Sequence, residues 1–235
     1  MSVTIDTTFD VYSDTPIGRD PDSHSPTLRR YHQMLWSKRL PDGSAFDLSD
    51  EHPKAYLHHK SQRGEFLLSS DSIGHTYRYV RAMAPIINDV PEDELDQFFS
   101  ICSTVGAYVV FPSRKVDRKP TINGARGLHG KIKDRFDLTL ECIRRHYQNQ
   151  DSPLSAALAR YADFFDLFGS FKGYVDFFLL QDLISGDGAL IDFFLPFTGF
   201  DASPLPADVD EYRSYKDRLV AFVIARNKRV AEQAA

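Results

Sequence analysis

At 235 residues, with 42% hydrophobic, 13% aromatic and 26% charged side chains, the chain is long enough for a sizeable core and ordinary in composition for a globular protein. A net charge of -5 excludes a wholesale nucleic-acid coat, so any phosphate binding has to come from a local patch. Two cysteines, Cys102 and Cys142, both in apolar context, exclude a disulfide framework, and no apolar run is long enough to span a membrane.

The first segment, M-S-V-T-I-D-T-T-F-D, lacks the basic region and apolar run of a secretory leader, so a cytoplasmic protein is expected. Residues 1–12 alternate weakly through Val3, Ile5, Phe9 and Val11, a pattern that fits an edge strand. After a loop rich in Pro, Asp and Ser, Ser25-Pro26 has the cap and first-turn proline of a helix running through Leu28, Tyr31, Leu35 and Trp36. Pro41-Asp42-Gly43 is a turn, and 46–70 reads as two or three short strands, F-D-L, A-Y-L-H-H-K and G-E-F-L-L-S. Ser69-Ser70-Asp71 then looks like a second cap, opening a helix that carries Tyr77, Val80 and Met83 and ends near Pro85. Pro91-Glu92-Asp93-Glu94 starts another helix, and A-Y-V-V-F after Gly106 reads as a buried strand.

The stretch from Thr121 to Tyr147 reads as a glycine-rich loop, 121–131, feeding a long amphipathic helix that begins at Ile132. Between Ser113 and Arg135 stand Arg114, Lys115, Arg118, Lys119, Arg126, Lys131, Lys133 and Arg135, against Asp117 and Asp134 alone. A helix start preceded by glycines and flanked by cations suits an anion, because its first amides are unpaired. The loop is no nucleotide-triphosphate loop: Ala125 stands where its first glycine belongs and Ile132 where its hydroxyl belongs. Asn123, Arg126, His129 and Lys131 are the candidates to hold a phosphate or carboxylate, with Arg135 and Arg145 aimed at the same ligand. The alternative is a solvated basic loop and an ion-pair-laced helix, in which Glu141 and Arg145 pair at i,i+4.

Earlier in the chain, Arg29 and Arg30 beside Trp36 suit stacking on a base, or a core tryptophan with arginines outside. His58 or His59 could serve as acid or base with Asp71 or Glu141 as partner, or be hydrogen-bonded structural histidines. Adjacent strand residues face opposite sides, so the two histidines cannot readily share an ion and no metal site is expected. Beyond Asp151 the chain is dense in phenylalanine (164, 165, 168, 171, 177, 178, 193, 194, 197 and 200) and has no histidine, which reads as scaffold. An amphipathic helix with a frayed tail, running from Asp208 to Val230, closes the chain.

The strings D-P-D-S-H-S-P-T-L-R-R-Y-H, Y-L-H-H-K-S-Q-R-G-E-F-L-L-S-S-D-S-I, D-R-F-D-L-T-L-E-C-I-R-R-H-Y and G-Y-V-D-F-F-L-L-Q-D-L resemble a bacterial family known only as a domain of unknown function. The resemblance spans nearly the whole chain and implies a stand-alone cytosolic protein of this size, with no activity, cofactor or catalytic residue to transfer. Arg63 departs from the small apolar residue expected before Gly64.

The expected fold is α+β and helix-dominated, one domain over 1–235. It has a small, mostly antiparallel sheet in 1–112, the basic loop and helix in 113–150, and a Phe-rich helical part in 151–235. Three functions fit. The first is binding of a phosphate-rich ligand, a nucleotide or nucleic acid, through the basic loop. The second is an enzyme acting on such a ligand with a histidine acid/base, and the third is an interaction protein dimerising through its Phe-rich half. The cofactor, if any, is unspecified.

Overall fold

The computed structural model describes residues 4–186 and 190–234, so Val3, at the start of the expected edge strand, lies outside it. The fold is α+β and helix-dominated. In chain order it comprises α1 (Pro21–His24), α2 (Pro26–Trp36), β1 (Lys38–Arg39), β2 (Ala45–Phe46), β3 (Leu57–Ser61), β4 (Gly64–Ser72) and α3 (Ala84–Ile87). There follow α4 (Glu92–Cys102), β5 (Tyr108–Pro112), α5 (Ile122–Leu128), α6 (Phe136–Tyr147), α7 (Ser155–Ala159), α8 (Ala162–Asp166), α9 (Phe171–Phe177), β6 (Ile184–Ser185), β7 (Leu190–Ile191) and α10 (Val209–Ala234).

The main sheet is antiparallel, in the order β3-β4-β5. Leu57 faces Leu68 across the first pair, and Ser72 faces Tyr108 and Leu68 faces Pro112 across the second. Strand β5, Y-V-V-F-P, is buried along its whole length, as its unbroken apolar run requires once helices cover both faces. Two further antiparallel pairs have strands of two residues each: β1 with β2, across the Asp42-Gly43 turn, and β6 with β7.

Helix α2 begins as its sequence dictates: the Ser25 hydroxyl accepts the Leu28 amide, Pro26 fills the first turn, and Leu28, Tyr31, His32, Leu35 and Trp36 are buried. Trp36 meets the rings of Phe177 and Phe178, and Phe168 joins Phe46, Phe164, Tyr174, Phe177 and Phe178 in one aromatic cluster. A single core runs from Ile5 to Val230. The Phe-rich half uses its rings there: Phe164, Phe165, Phe168, Phe171, Phe177, Phe178 and Phe194 are buried, while Phe193, Phe197 and Phe200 pack on the same core from its edge.

Helix α10 ties the distant parts together. Its buried Arg226 donates to the carbonyls of Gly106, Tyr108 and Phe178. Tyr212 and Tyr215 donate to the carbonyls of Thr76 and His75 at 2.8 Å each, so one face of α10 pins the segment after β4. No helix among the described residues is long and apolar enough to cross a membrane.

Four local expectations are corrected. Residues 4–12 form turns rather than an edge strand, although Ile5 and Val11 are buried. Ser69-Ser70-Asp71 caps no helix, because β4 continues to Ser72 in register with β5. The glycine-rich stretch is itself helical, as α5, with Thr121 as its cap. The long helix starts at Phe136 rather than Ile132, because Lys133 and Asp134 adopt left-handed backbone angles that end any helical run before Arg135.

Candidate functional site

A cleft opens where the end of β4 meets α1, α4 and the start of β5. It encloses about 240 Å³ and is lined by Tyr12, Asp20, Asp22, Gly74, His75 and Cys102, with Tyr79, Phe99 and Tyr108 among its aromatic walls. Short helix α1 lies across β4, and Asp20 is its cap, accepting the Asp22 amide at 3.1 Å. Asp14 holds the next helix by accepting the Ser25 hydroxyl and the Thr27 amide. This D-x-D turn therefore sets two carboxyls at the rim of the sheet on a backbone fixed from both sides. Tyr12 packs on Phe99, with ring centroids 5.0 Å apart, and closes the far wall.

Asp22 is the unusual group. Its Oδ1 is buried and has no hydrogen-bond partner among the described residues. Burial pushes its carboxyl well above the ordinary carboxylate range, with the Asp71 and Asp20 charges adding to the rise; nearby Ser70 and Arg126 pull it back only in part. A buried polar line runs away from it beneath α1. Ser70 is 2% exposed and acts on both Asp22 and Tyr56, yet its Oγ has no hydrogen bond of ordinary geometry to any described residue. The Tyr56 hydroxyl in turn lies 3.3 Å from His32 Nδ1.

A second, charged network stands on the other face of β4. Arg126 is buried on α5 and binds the Asp71 carboxylate at 2.6 Å, the Ser72 carbonyl at 3.0 Å, the Asp134 carbonyl at 2.7 Å and the Thr139 hydroxyl at 3.2 Å. Burial raises the Asp71 carboxyl although this guanidinium pulls the other way. Asp134 links the network back to the cleft, 3.9 Å from His75 Nε2. His75 Nδ1 accepts the Tyr77 amide at 3.0 Å, which assigns the neutral ring's proton to Nε2, and burial holds the imidazole below its ordinary value. Cys102, in the same wall, is an inert thiol that burial pushes up to about 12.

The residues singled out from the sequence do not converge on one pocket. Besides Arg126, Arg135 is buried against Asp137 at 2.5 Å and the Pro204 carbonyl. Arg145 pairs with Glu141 at 2.7 Å and lies over the Phe200 ring, while Lys131 pairs with Asp201 at 2.7 Å. Asn123 donates to the Ser69 hydroxyl and the Ser70 carbonyl, and His129 Nδ1 accepts the Lys131 amide. Arg29 is spent on the carbonyls of Asp50, Ala55 and Tyr56, Arg30 lies over the Tyr31 ring, and Trp36 is 1% exposed in the core.

Among the proposed acid/base groups, half-buried His58 pairs with Glu65 at 2.9 Å. Buried His59 points inward to the Asp47 carbonyl and the Phe46 ring. Burial raises the Glu141 carboxyl, but Arg144 and Arg145 outweigh it and hold it low. Arg63, the odd residue of its string, bridges Asp42 and the Asp166 carbonyl. Of the sequence candidates, Asp71, Arg126 and Asn123 stand directly behind the cleft, whereas Asp20, Asp22, His75 and Asp134 were not singled out. The D-P-D turn before a capped helix is the one sequence signal for Asp20 and Asp22, and His75 and Asp134 have none.

No curated protein and no solved structure matches the chain. A family model does match, over residues 5–230, and the chain belongs to that family, DUF6994, a family of unknown function.

Proposed function

We propose that the cleft at the end of β4 is a catalytic centre working by acid–base chemistry on a small polar ligand without net negative charge. One observation carries the reading: a carboxyl with a buried, unpartnered oxygen, in surroundings that favour its protonated form, lines a cavity in the company of a second, exposed carboxyl group. Two carboxyls in unlike environments are the usual way for one fold to present a proton donor and a proton acceptor at the same pH. Asp22 is the donor and Asp20 the acceptor. His75, neutral and carrying its proton on Nε2, adds a second donor. The walls of Tyr12, Phe99 and Tyr108 give a ring or alkyl face something to pack on.

The ligand class follows from charge. Asp20 and Asp22 line the cavity, Asp71 stands behind it on β4, and Arg126, the guanidinium that acts on Asp22, is already committed to Asp71. With Asp22 protonated and Asp71 paired, a phosphate would meet the Asp20 carboxylate and no uncommitted guanidinium, so the enzymatic reading moves away from phosphate-rich ligands and from His58 and His59. The test is a thermal-shift panel pairing nucleosides, monosaccharides and amines with their phosphorylated or carboxylated counterparts, run on wild type and Asp22→Asn. Stabilisation by uncharged or cationic members, lost in the variant, is expected. A response confined to the phosphorylated members would overturn the assignment.

A further inference from the structure

The cations that remain outside the core mark a second surface, at the opposite end of the sheet. In the basic stretch, Arg126, Lys131 and Arg135 each have a carboxylate partner. Arg114, Lys115, Arg118 and Lys119, on the loop from β5 to α5, are exposed and form no ion pair with any described residue. Asp117 is the only acid among them. Since the whole chain carries -5, this loop is a local inversion of the protein's charge rather than a sample of it.

The loop is also held in shape. It leaves the sheet with the Ser113 amide on the Leu67 carbonyl at 2.8 Å and turns through the Lys119 amide on the Val116 carbonyl at 3.0 Å. The Tyr161 hydroxyl holds the Arg114 carbonyl at 3.0 Å, and the Arg160 guanidinium holds that of Pro120 at 2.7 Å. Asp117 and Arg118 take left-handed backbone angles, with φ of 51° and 57°, while Val116 packs against the core. Four long cationic side chains therefore project from a backbone tied at both ends, so little ordering of the main chain is left to oppose binding.

We propose that this loop is a docking surface for the phosphodiester backbone of double-stranded nucleic acid, bound without regard to sequence. Several closely spaced cations match a regularly charged rod, and the loop carries no aromatic side chain on which an unpaired base could stack, which favours a duplex held by its phosphates. An anionic bilayer is the poorer fit: Val116 is turned inward, which leaves the loop no aromatic or long aliphatic side chain to insert. The site is independent of the cleft. Leu68 opposite Pro112 marks the loop end of the β4–β5 pair and Ser72 opposite Tyr108 the cleft end, about 13 Å away along the strands.

The experiment is fluorescence anisotropy of a short labelled DNA duplex across a salt series. Wild type is compared with a variant carrying Arg114→Gln, Lys115→Gln, Arg118→Gln and Lys119→Gln, and with the milder Lys115→Gln, Lys119→Gln pair. If all four cations neutralise phosphates, log K falls with log salt at a slope of about -3.6; the pair reduces this to about -1.8 and the full variant brings it close to zero. Circular dichroism confirms that both variants are folded. Absence of duplex binding at low salt, an unchanged slope in both variants, or capture by phosphatidylserine vesicles but not by duplex would each overturn the proposal.

Discussion

Replacing Arg126 by methionine tests whether this side chain belongs to the architecture or to a ligand. Its guanidinium is 1% exposed and makes four hydrogen bonds, to Asp71, the carbonyls of Ser72 and Asp134, and Thr139. Methionine fills much of the volume but leaves the Asp71 carboxylate with no cationic partner in a site that already penalises its charge. Breaking a buried pair from one side costs about 3–5 kcal/mol. In a chain of this size each kcal/mol lowers Tm by roughly 2–4 °C, so a fall of about 6–20 °C is expected by calorimetry. Adding Asp71→Asn removes the stranded charge and should recover a substantial part of that loss, a coupling that a double-mutant cycle measures. A variant within about 1 kcal/mol of wild type would refute the reasoning and return Arg126 to the pool of cations free to bind a ligand.

Other consequences are as direct. His32 is fully buried and pushed down to about 3 by burial, with Arg226 adding to the effect. The unfolded chain therefore binds the extra proton as pH falls below the usual histidine range, and stability is lost through the window from 6.5 toward 3 at about 1.4 kcal/mol per pH unit. His32→Asn should flatten that part of the urea-midpoint profile. Gly106 sits where an added Cβ would lie 2.5 Å from Asn227 Oδ1 and 2.9 Å from the Val223 carbonyl. Gly106→Ala should therefore cost about 1–3 kcal/mol in chemical denaturation by forcing α10 off the sheet. Both cysteines are buried, and burial pushes both thiols up to about 12. Ellman's reagent should find no reactive thiol in the native protein at neutral pH and two after denaturation.

Much of the fold could be read from local chemistry. Ser25-Pro26 announced α2, the acidic first turn announced α4, and the unbroken Y-V-V-F announced β5, because each of those signals acts within one turn or strand. Ser69-Ser70-Asp71 misled because its oxygens are used across space: Asp71 answers Arg126 on α5, fifty-five residues away, instead of the next backbone amide. The glycines of α5 suggested a loop for a similar reason. Gly127 serves packing rather than a turn: the Asp134 carboxylate lies 3.0 Å from where its Cβ would be, so the glycine gives room inside a helix instead of marking a loop.

The basic stretch showed the right number of charges but not their allocation between core pairs and surface. That depends on where Asp71, Asp137 and Asp201 arrive, and those partners come from β4, α6 and the segment before α10. The cleft was least legible. Asp22 and His75 lie more than fifty residues apart, and what distinguishes them is burial rather than spacing.

The protonation of Asp22 tests the central claim most directly. Carboxyl carbon shifts of protein labelled at aspartate, titrated by NMR and assigned by loss of the signal in Asp22→Asn, report it without knowledge of the ligand. The account predicts an Asp22 carboxyl that stays protonated well above the ordinary carboxylate range, releasing its proton only at a pH where exposed aspartates have long been ionised. A signal titrating at or below that range would contradict it, and the cleft would then hold an ordinary pair of carboxylates with no carboxyl donor to offer.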